Sequence, residues 1–215
     1  MTAIAIIDYG MGNLHSIAKA LEHVAGKRRV IVTSERSAIL SAGHVVFPGV
    51  GAIRDCIEEL RKTGLDEVVR EVAAAKPVLG VCLGLQALFD ESEENGGTRC
   101  LGIVPGEVVR FPQNFQDPSS GERLKIPHMG WNQVRQTGSH ALWRDIPDQS
   151  RFYFVHSYYA VPAVAAHIAG TTEYGREFTS VIARGNLFAA QFHPEKSQHS
   201  GLQLLANFVA WNGEQ

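Results

Sequence analysis

Cysteine is scarce in this 215-residue sequence, which contains only Cys56, Cys82 and Cys100. These residues form neither an even set nor a C-x-x-C pair, so no disulfide framework is expected. Cys56 and Cys100 have no ligand-like spacing to any histidine, which argues against a metal site. We therefore predict free thiols, no bound metal and a reducing, cytoplasmic location.

The sequence also lacks an excess of charge of one sign. Its 20 Lys and Arg residues against 22 Asp and Glu residues give a net charge of −2 and a pI near 6.5. It therefore has no basic field to attract nucleic acid or anionic lipid. Its apolar runs stay below the roughly 20 residues that cross a bilayer, and no basic segment precedes the N-terminal apolar run, as a secretory signal requires. We expect no nucleic-acid binding, no membrane insertion and no secretion.

Internal repeats and low-complexity tracts are absent too, and 45% of the residues are hydrophobic. A chain of this length and composition can bury a sizeable core. We expect residues 1–215 to form one domain.

The first half alternates short apolar strands with amphipathic helices. Such alternation favours right-handed crossovers and a parallel sheet. The predicted strands are 3–7, 29–33 and 45–47, and the predicted helices are 14–24, 35–40 and 65–75.

The second half is richer in aromatic and β-branched residues and predicts a partly antiparallel, β-rich portion. Residues 112–121 are polar, contain two prolines and predict a surface loop or flap. A helix that carries Leu204, Leu205, Phe208 and Trp211 on one face closes the chain. The predicted strands are 108–111, 131–134, 151–155, 166–170, 179–183 and 187–192.

Cys82 lies between an apolar run and the start of a helical pattern, with Gly80 and Gly84 on either side. The spacing is that of the G-x-S-x-G nucleophile elbow with sulfur in place of oxygen. The alternative is an inert buried cysteine, a common state for this residue type. A nucleophilic role therefore needs a base elsewhere in the chain.

A candidate base follows the last predicted strand, in Phe192-His193-Pro194-Glu195. His193 would take the proton of the thiol, and Glu195 would fix the orientation and tautomer of the imidazole. His156 also follows an apolar strand and is the rival base, but no acid lies near it in the sequence.

A glycine loop follows the first strand, in Asp8-Tyr9-Gly10-Met11-Gly12-Asn13. A dinucleotide fingerprint would need a third glycine, and an acidic residue after the second strand is matched only weakly by Glu35. Turn geometry is the better interpretation, and no cofactor is expected.

Two segments, Gly80-Val81-Cys82-Leu83-Gly84-Leu85-Gln86 and Phe192-His193-Pro194-Glu195, together resemble the class I (triad) glutamine amidotransferases. Further segments resemble the glutaminase subunits of imidazole glycerol phosphate synthases, and the likeness covers essentially the whole chain. It implies a flavodoxin-like α/β fold with a mixed central sheet flanked by helices. The further segments are 8–14, 48–51, 127–132 and 156–158.

This resemblance implies hydrolysis of L-glutamine to L-glutamate and ammonia through a cysteine thioester. Cys82 would be the nucleophile, His193 the proton shuttle and Glu195 the residue that orients His193. The implied oxyanion donors are in Val50, Gly51 and Leu83, and the implied glutamine-binding residues are Gly49, Gln86, Glu94, Ser157 and Tyr158.

The resemblance also implies a partner, a (β/α)8-barrel cyclase subunit that forms a heterodimer with the chain. The cyclase would use the ammonia to make imidazole glycerol phosphate and aminoimidazole carboxamide ribotide in L-histidine biosynthesis. Trp131 could alternatively be a core aromatic. The implied interface residues are Asn13, Met129, Trp131, Asn132, Tyr153 and Lys196.

Three alternatives remain open. Another class I amidotransferase, for purine, pyridoxal or anthranilate synthesis, would keep the triad, although segment 127–132 argues against it. A flavodoxin-like cysteine hydrolase or chaperone-like protein would keep the elbow without needing His193 and Glu195. A catalytically silent binding module would keep the fold but would tolerate loss of a triad residue.

Overall fold

The computed structural model describes residues 2–117 and 121–214. Its strands are β1 (Ile4–Ile7), β2 (Val30–Thr33), β3 (His44–Gly49), β4 (Val78–Cys82), β5 (Glu91–Ser92), β6 (Thr98–Arg99), β7 (Gly106–Arg110), β8 (His128–Gln133), β9 (Arg135–Gln136), β10 (Arg151–His156), β11 (Tyr158–Pro162), β12 (Ile168–Glu173), β13 (Glu177–Arg184) and β14 (Leu187–Ala190). The α-helices are α1 (Leu14–Val24), α2 (Arg36–Ser41), α3 (Ile53–Thr63), α4 (Leu65–Ala75), α5 (Leu83–Ala87) and α6 (Gln198–Ala210). Short 3₁₀ turns cover Glu94–Gly96, Ala141–Trp143, Ala165–His167 and Pro194–Lys196.

The central sheet is mixed, as predicted. Its strands run in the order β2-β1-β3-β4-β14-β13-β11-β7-β5-β6, and β12 and β9 extend it from β13. Pairing is parallel from β2 to β14 and antiparallel from β14 through β13 and β11 to β7. The parallel part comes from the first half of the chain together with β14.

Helices cover both faces of this sheet. On one face Ile17 and Leu21 of α1 pack with Leu204 and Phe208 of α6 in one apolar core. On the other face α3, α4 and α5 contribute to a second core, through residues that include Ile57, Val69 and Leu85. Apolar residues on both sides of the sheet explain why β1, β3, β4 and β14 are buried throughout.

Helix α3 and strand β11 are the longest elements that were not predicted from the sequence. Helix α3 was not predicted, although Ile53, Cys56, Ile57 and Leu60 recur along it at helical spacing and are buried. It ends at Gly64, whose φ of 69° provides the left-handed cap that glycine favours. Strands β8 and β10 pair antiparallel with each other in a separate two-stranded sheet.

The loop predicted over residues 112–121 falls partly on 118–120, which lie outside the described residues. In the described part, Phe115 is buried and its ring stacks on Phe111 with centroids 5.6 Å apart.

Within residues 2–117 and 121–214, no helix is both long and apolar enough to cross a membrane.

Candidate active site

Cys82 occupies a strained turn between β4 and α5. Its φ of 54° and ψ of −110° lie outside the usual regions for a residue with a side chain. A Cβ on Gly84 would lie 2.0 Å from the carbonyl oxygen of Phe47, and one on Gly80 would lie 2.7 Å from the Cβ of Ala189. The two glycines leave room for the neighbouring strands, so the predicted elbow is present.

His193 lies just beyond β14, where the backbone fixes its position. Its N–H donates to the carbonyl of Tyr153 at 2.9 Å, and its own carbonyl accepts a hydrogen bond from the Ser197 hydroxyl at 2.6 Å. Its Nδ1 lies 2.8 Å from Oε1 of Glu195, and both side chains are buried. The pairing predicted between the histidine and this carboxylate is therefore present.

The protonated form of His193 is strongly favoured. Burial lowers the pKa of the imidazole, but interaction with Cys82 and then with Glu195 outweighs burial and raises the pKa to about 10. Among the described residues, Nε2 of His193 has no hydrogen-bond partner. This nitrogen is therefore the one that is available to a further partner, because Nδ1 is already paired with Glu195.

Gln191 belongs to this site but was not predicted. Its side chain is fully buried, its Nε2 donates to Sγ of Cys82 at 3.8 Å, and its Oε1 accepts from Nε2 of Gln86 at 3.0 Å. The signal in the sequence that could have identified Gln191 is that it is a polar residue at the end of an apolar strand, one position before Phe192.

A cavity of about 300 Å³ opens beside Cys82 and His193. It has room for a ligand of amino-acid size. Larger cavities among the described residues, of about 390, 450 and 1120 Å³, contain neither residue. The residues that line the smaller cavity and were predicted to bind substrate or oxyanion are Val50, Gly51, Leu83, Gln86, Glu94, Ser157 and Tyr158.

Gly49 does not line this cavity. It lies in an adjoining cleft of about 10 Å³, together with Asn13 and Glu195. A Cβ on Gly49 would lie 2.7 Å from the Tyr9 hydroxyl and 2.8 Å from Cβ of Leu83. Glycine at this position therefore lets the loop after β3 lie directly against the elbow.

Two contacts hold the walls of the cavity. The Tyr9 hydroxyl donates to the carbonyl of Pro48 at 3.0 Å, which ties the loop after β1 to the end of β3. Oε2 of Glu94 accepts from the backbone N–H of Ile53 at 3.1 Å and so caps the start of α3. The Glu94 carboxylate thus lines the cavity with a fixed orientation.

His156, the rival base, also lines the cavity but is engaged elsewhere. Its Nδ1 lies 2.7 Å from the Tyr158 carbonyl oxygen, and its Nε2 lies 2.8 Å from Nδ1 of His128. Burial lowers the pKa of His156 to about 3. The buried carboxylate of Glu195 is paired with His193 instead.

The predicted interface residues lie near the site. Trp131 on β8 pairs with Tyr153 on β10, with ring centroids 6.2 Å apart, and Nζ of Lys196 lies 5.8 Å from the Tyr153 ring centre. Trp131 is 41% exposed, so the core alternative is wrong for this residue. Of the others, Met129 is 61% exposed, Asn132 is half-buried and Asn13 caps α1.

Within the described part of the chain, no group of three or more His, Cys, Asp or Glu side chains is placed to hold a metal ion. All three cysteines are buried and free. Burial raises the pKa of both Cys56 and Cys100 to about 12.

Sequence comparison finds relatives that match this chain over nearly its whole length. The sequence is 59% identical over 212 residues to the imidazole glycerol phosphate synthase subunit HisH of Methylococcus capsulatus, covering 98% of this chain and 97% of the relative. It is 57% identical to the HisH subunit of Pseudomonas putida, covering 99% of both chains.

Solved structures show the same fold at low sequence identity. PurLQS from Thermotoga maritima aligns with a TM-score of 0.71 and 13% identity over 98% of this chain and 99% of that one. A crystal structure of a glutamine amidotransferase aligns with a TM-score of 0.71 and 14% identity over 97% of this chain and 100% of that one. The family model for class-I glutamine amidotransferases matches residues 5–211. The chain therefore belongs to the class-I glutamine amidotransferase family.

Proposed function

We propose that the chain is the glutaminase subunit of an imidazole glycerol phosphate synthase. It would hydrolyse L-glutamine to L-glutamate and ammonia, and would pass the ammonia to a cyclase subunit in L-histidine biosynthesis. The observation that carries the proposal is the placement of Cys82 and His193 at one cavity, with His193 paired to the buried carboxylate of Glu195. The full-length relatives named HisH support this choice within the family.

The proposed reaction begins when the Cys82 thiolate attacks the side-chain amide carbon of glutamine. Protonated His193, held by Glu195, gives its Nε2 proton to the departing nitrogen, and ammonia leaves behind a γ-glutamyl thioester. Neutral His193 then takes a proton from water, which attacks the thioester and releases glutamate. The raised pKa of His193 favours the protonated form that the first step uses.

Negative charge develops on the amide oxygen in both steps. We assign its stabilisation to the backbone N–H of Leu83 and to the loop that carries Val50 and Gly51, since all three residues line the cavity. Loss of one such donor costs roughly 3 to 4 kcal/mol of transition-state stabilisation in studied hydrolases.

We further assign the α-amino and α-carboxylate groups of glutamine to the opposite wall of the cavity. The Glu94 carboxylate suits an ammonium group, and its hydrogen bond from Ile53 holds it in place. Gln86, Ser157 and Tyr158 complete the wall. Gly49 would act indirectly, because its missing side chain lets the loop approach Leu83.

Ammonia must reach its acceptor before it is protonated or lost, so we propose that a (β/α)8-barrel cyclase covers this face in a heterodimer. Trp131 and Lys196 are exposed and both contact the half-buried Tyr153, whose backbone pairs with His193. Asn13, Met129 and Asn132 would extend the interface. We propose that the chain acts as a single amidotransferase domain.

A Cys82→Ala variant tests the proposal. With the cyclase and its ligand supplied, glutamine-dependent synthesis should fall by about 1000-fold or more, while ammonia-dependent synthesis stays unchanged. Cys100→Ala is the matched control, because Cys100 is also a buried free thiol but does not line the cavity. Glutamine-dependent turnover retained by Cys82→Ala would refute the role of this residue, and full activity with another acceptor would indicate a different class I amidotransferase.

A further inference from the structure

A line of hydrogen bonds connects the exposed strand β8 to the wall of the active-site cavity. The side-chain Nδ2 of Asn132 lies 3.2 Å from Nε2 of His128. Nδ1 of His128 lies 2.8 Å from Nε2 of His156, and Nδ1 of His156 lies 2.7 Å from the carbonyl oxygen of Tyr158. Both histidines are buried.

The chemistry of the end groups fixes the direction of every bond in this line. A carbonyl oxygen only accepts, so Nδ1 of His156 must carry a proton and donate to Tyr158. Burial keeps His156 neutral and lowers its pKa to about 3, so its Nε2 has a free lone pair and accepts from Nδ1–H of His128. His128 is also neutral, with its pKa lowered by burial to about 4, and its Nε2 accepts from the amide of Asn132.

The Tyr158 carbonyl is also the acceptor for Gln86. Nε2 of Gln86 donates to it at 3.2 Å and also to Gln191, whose amide reaches Cys82. With His156 and Gln86 as donors, both lone pairs of this carbonyl oxygen are used. The peptide between Tyr158 and the next residue therefore has a single favoured orientation, set from two sides.

Aromatic rings pack against both histidines. The His128 ring stacks on Tyr174 at 4.1 Å and on Phe154 at 4.9 Å. The His156 ring lies 5.2 Å from Phe178. A buried donor or acceptor that lost its partner here would pay its full desolvation cost, so the line is stabilised only when complete.

We propose that His128 and His156 are positioning residues that set the glutamine-binding wall through this one-directional line, which we call the histidine relay. The relay fixes the Tyr158 peptide at its inner end and begins at Asn132, among the residues assigned to the partner surface. The proposal rests on the proposed function, since Tyr158 is assigned there to glutamine binding. It accounts for two buried histidines that take no part in the proposed proton transfers.

Two substitutions at His128 separate a hydrogen-bonding role from simple packing. His128→Phe keeps the ring between Tyr174 and Phe154 but removes both nitrogens. His128→Asn loses the ring but places an amide N–H near the position of Nδ1–H and can still donate to His156. Positioning predicts that KM for glutamine rises about tenfold in His128→Phe, the size of one buried hydrogen bond, and rises less in His128→Asn.

The assay is glutamate release by the full chain with the barrel cyclase and its ligand. We expect kcat to change less than about threefold in both variants, because the reacting groups are untouched. His140→Phe is the matched control: His140 also packs against aromatic rings and has its pKa lowered by burial to about 4. His140 does not line the Cys82 cavity, so the KM of His140→Phe for glutamine should stay at the wild-type value.

A second measurement, by NMR, determines the tautomers of the two histidines in the relay. The ring ¹⁵N signals of His128 and His156 should show a protonated Nδ1 and an unprotonated Nε2 in both residues at neutral pH. The opposite tautomer in either residue would overturn the proposal, and so would an unchanged KM in His128→Phe or a larger rise in His128→Asn. The wild-type complex distinguishes failure of the relay from failure of the proposed function. If it released no glutamate at all, the proposed function would fail; if it released glutamate and one of the results above were found, only the relay would fail.

Discussion

The backbone at Cys82 adopts a conformation that costs on the order of 1 to 3 kcal/mol for a residue with a side chain. The surrounding strands enforce it, because β3 and β14 flank β4 and the next turn of helix lies against Phe47. At this turn the thiol lines the cavity beside His193. The strain is therefore part of the placement of the Cys82 thiol.

Gly84 is the position where this arrangement is most sensitive to substitution. In Gly84→Ala the new Cβ would overlap the carbonyl oxygen of Phe47, which is backbone and cannot rotate away. We expect a loss of about 2 to 3 kcal/mol in the free energy of unfolding, with reduced glutamine turnover because the elbow shifts. Urea unfolding and a glutamate-release assay measure the two effects.

Gly138→Ala is the control for this substitution. A Cβ on Gly138 would meet no described residue within 4 Å apart from its two chain neighbours, so the free energy of unfolding should change by less than about 1 kcal/mol. Equal losses in the two variants would show that the contact with Phe47 does not limit residue 84.

The sequence was sufficient to predict the pairing of His193 with Glu195, because the two residues are only two positions apart. Gln191 was not predicted, since its hydrogen bonds to Gln86 and Cys82 join residues more than 100 positions apart. The same limit applies to His156: its sequence context resembles that of a base, and only the contact with His128 shows that its nitrogens are engaged.

Among the elements, the pair β8 and β10 differs most from the rest of the fold. These two strands form their own sheet, and β10 contacts the segment that carries His193. The exposed Trp131 and the half-buried Tyr153 lie side by side on neighbouring strands, beside Lys196. Aromatic side chains of this kind are typical of residues that dominate binding at protein interfaces.

Trp131→Ala should weaken the complex with the barrel cyclase by about 2 kcal/mol or more, which is roughly 30-fold in Kd. The free energy of unfolding of the free chain should change by less than about 1 kcal/mol, because the side chain is 41% exposed. Calorimetric titration gives the Kd and urea unfolding gives the stability.

Val161 supplies the comparison, because it is 40% exposed but lies on β11, in the central sheet. Val161→Ala should leave the Kd unchanged. If both substitutions weakened the complex equally, the surface that contains Trp131 would not be the docking face.

Element types were easier to predict than their partners. The parallel part follows from strands that alternate with helices in sequence, and each strand joins a neighbour close in the chain, except β14. The separation of β8 and β10 depends on contacts between distant segments, which periodicity does not encode. Helix α3 was not predicted, although its apolar spacing and the charged residues on its exposed face are the pattern of an amphipathic helix.

Over the whole molecule, burial keeps several histidines neutral. The pKa is lowered by burial for His44, His128, His140, His156 and His167. A group whose pKa is lower in the folded state stabilises the fold above its unfolded pKa, near 6.5, and this contribution is lost as the pH falls through the folded pKa. These histidines therefore make the protein sensitive to acid.

We expect the free energy of unfolding to decrease as the pH falls from about 6.5 towards 4, the window between the unfolded pKa and the values near 4 and 3 for His128 and His156. Each of these two histidines should contribute a slope of up to about 1.4 kcal/mol per pH unit. Urea unfolding at pH 7, 6 and 5 measures the slope, and His128→Phe should reduce it by the share of one histidine. A slope that is unchanged in this variant, or stability that rises towards pH 5, would contradict the assignment.

The contribution of His193 to the free energy of unfolding depends on pH in the opposite direction. Its pKa is raised to about 10 in the folded protein, so its contribution is fully present below about pH 6.5 and is lost as the pH rises through 10. Together with the neutral histidines, it places the maximum of stability near neutral pH.

The backbone hydrogen bond between His193 and Tyr153 has a consequence for how such a chain can change over evolutionary time. The amide of His193, the proposed base, is tied to the carbonyl of a residue whose ring lies on the proposed docking face. A substitution that shifts β10 to suit an altered partner would also displace the imidazole from Glu195. Selection on partner choice and selection on catalysis would then act on the same few atoms, so lineages of this subunit and its partner would have to diverge in step.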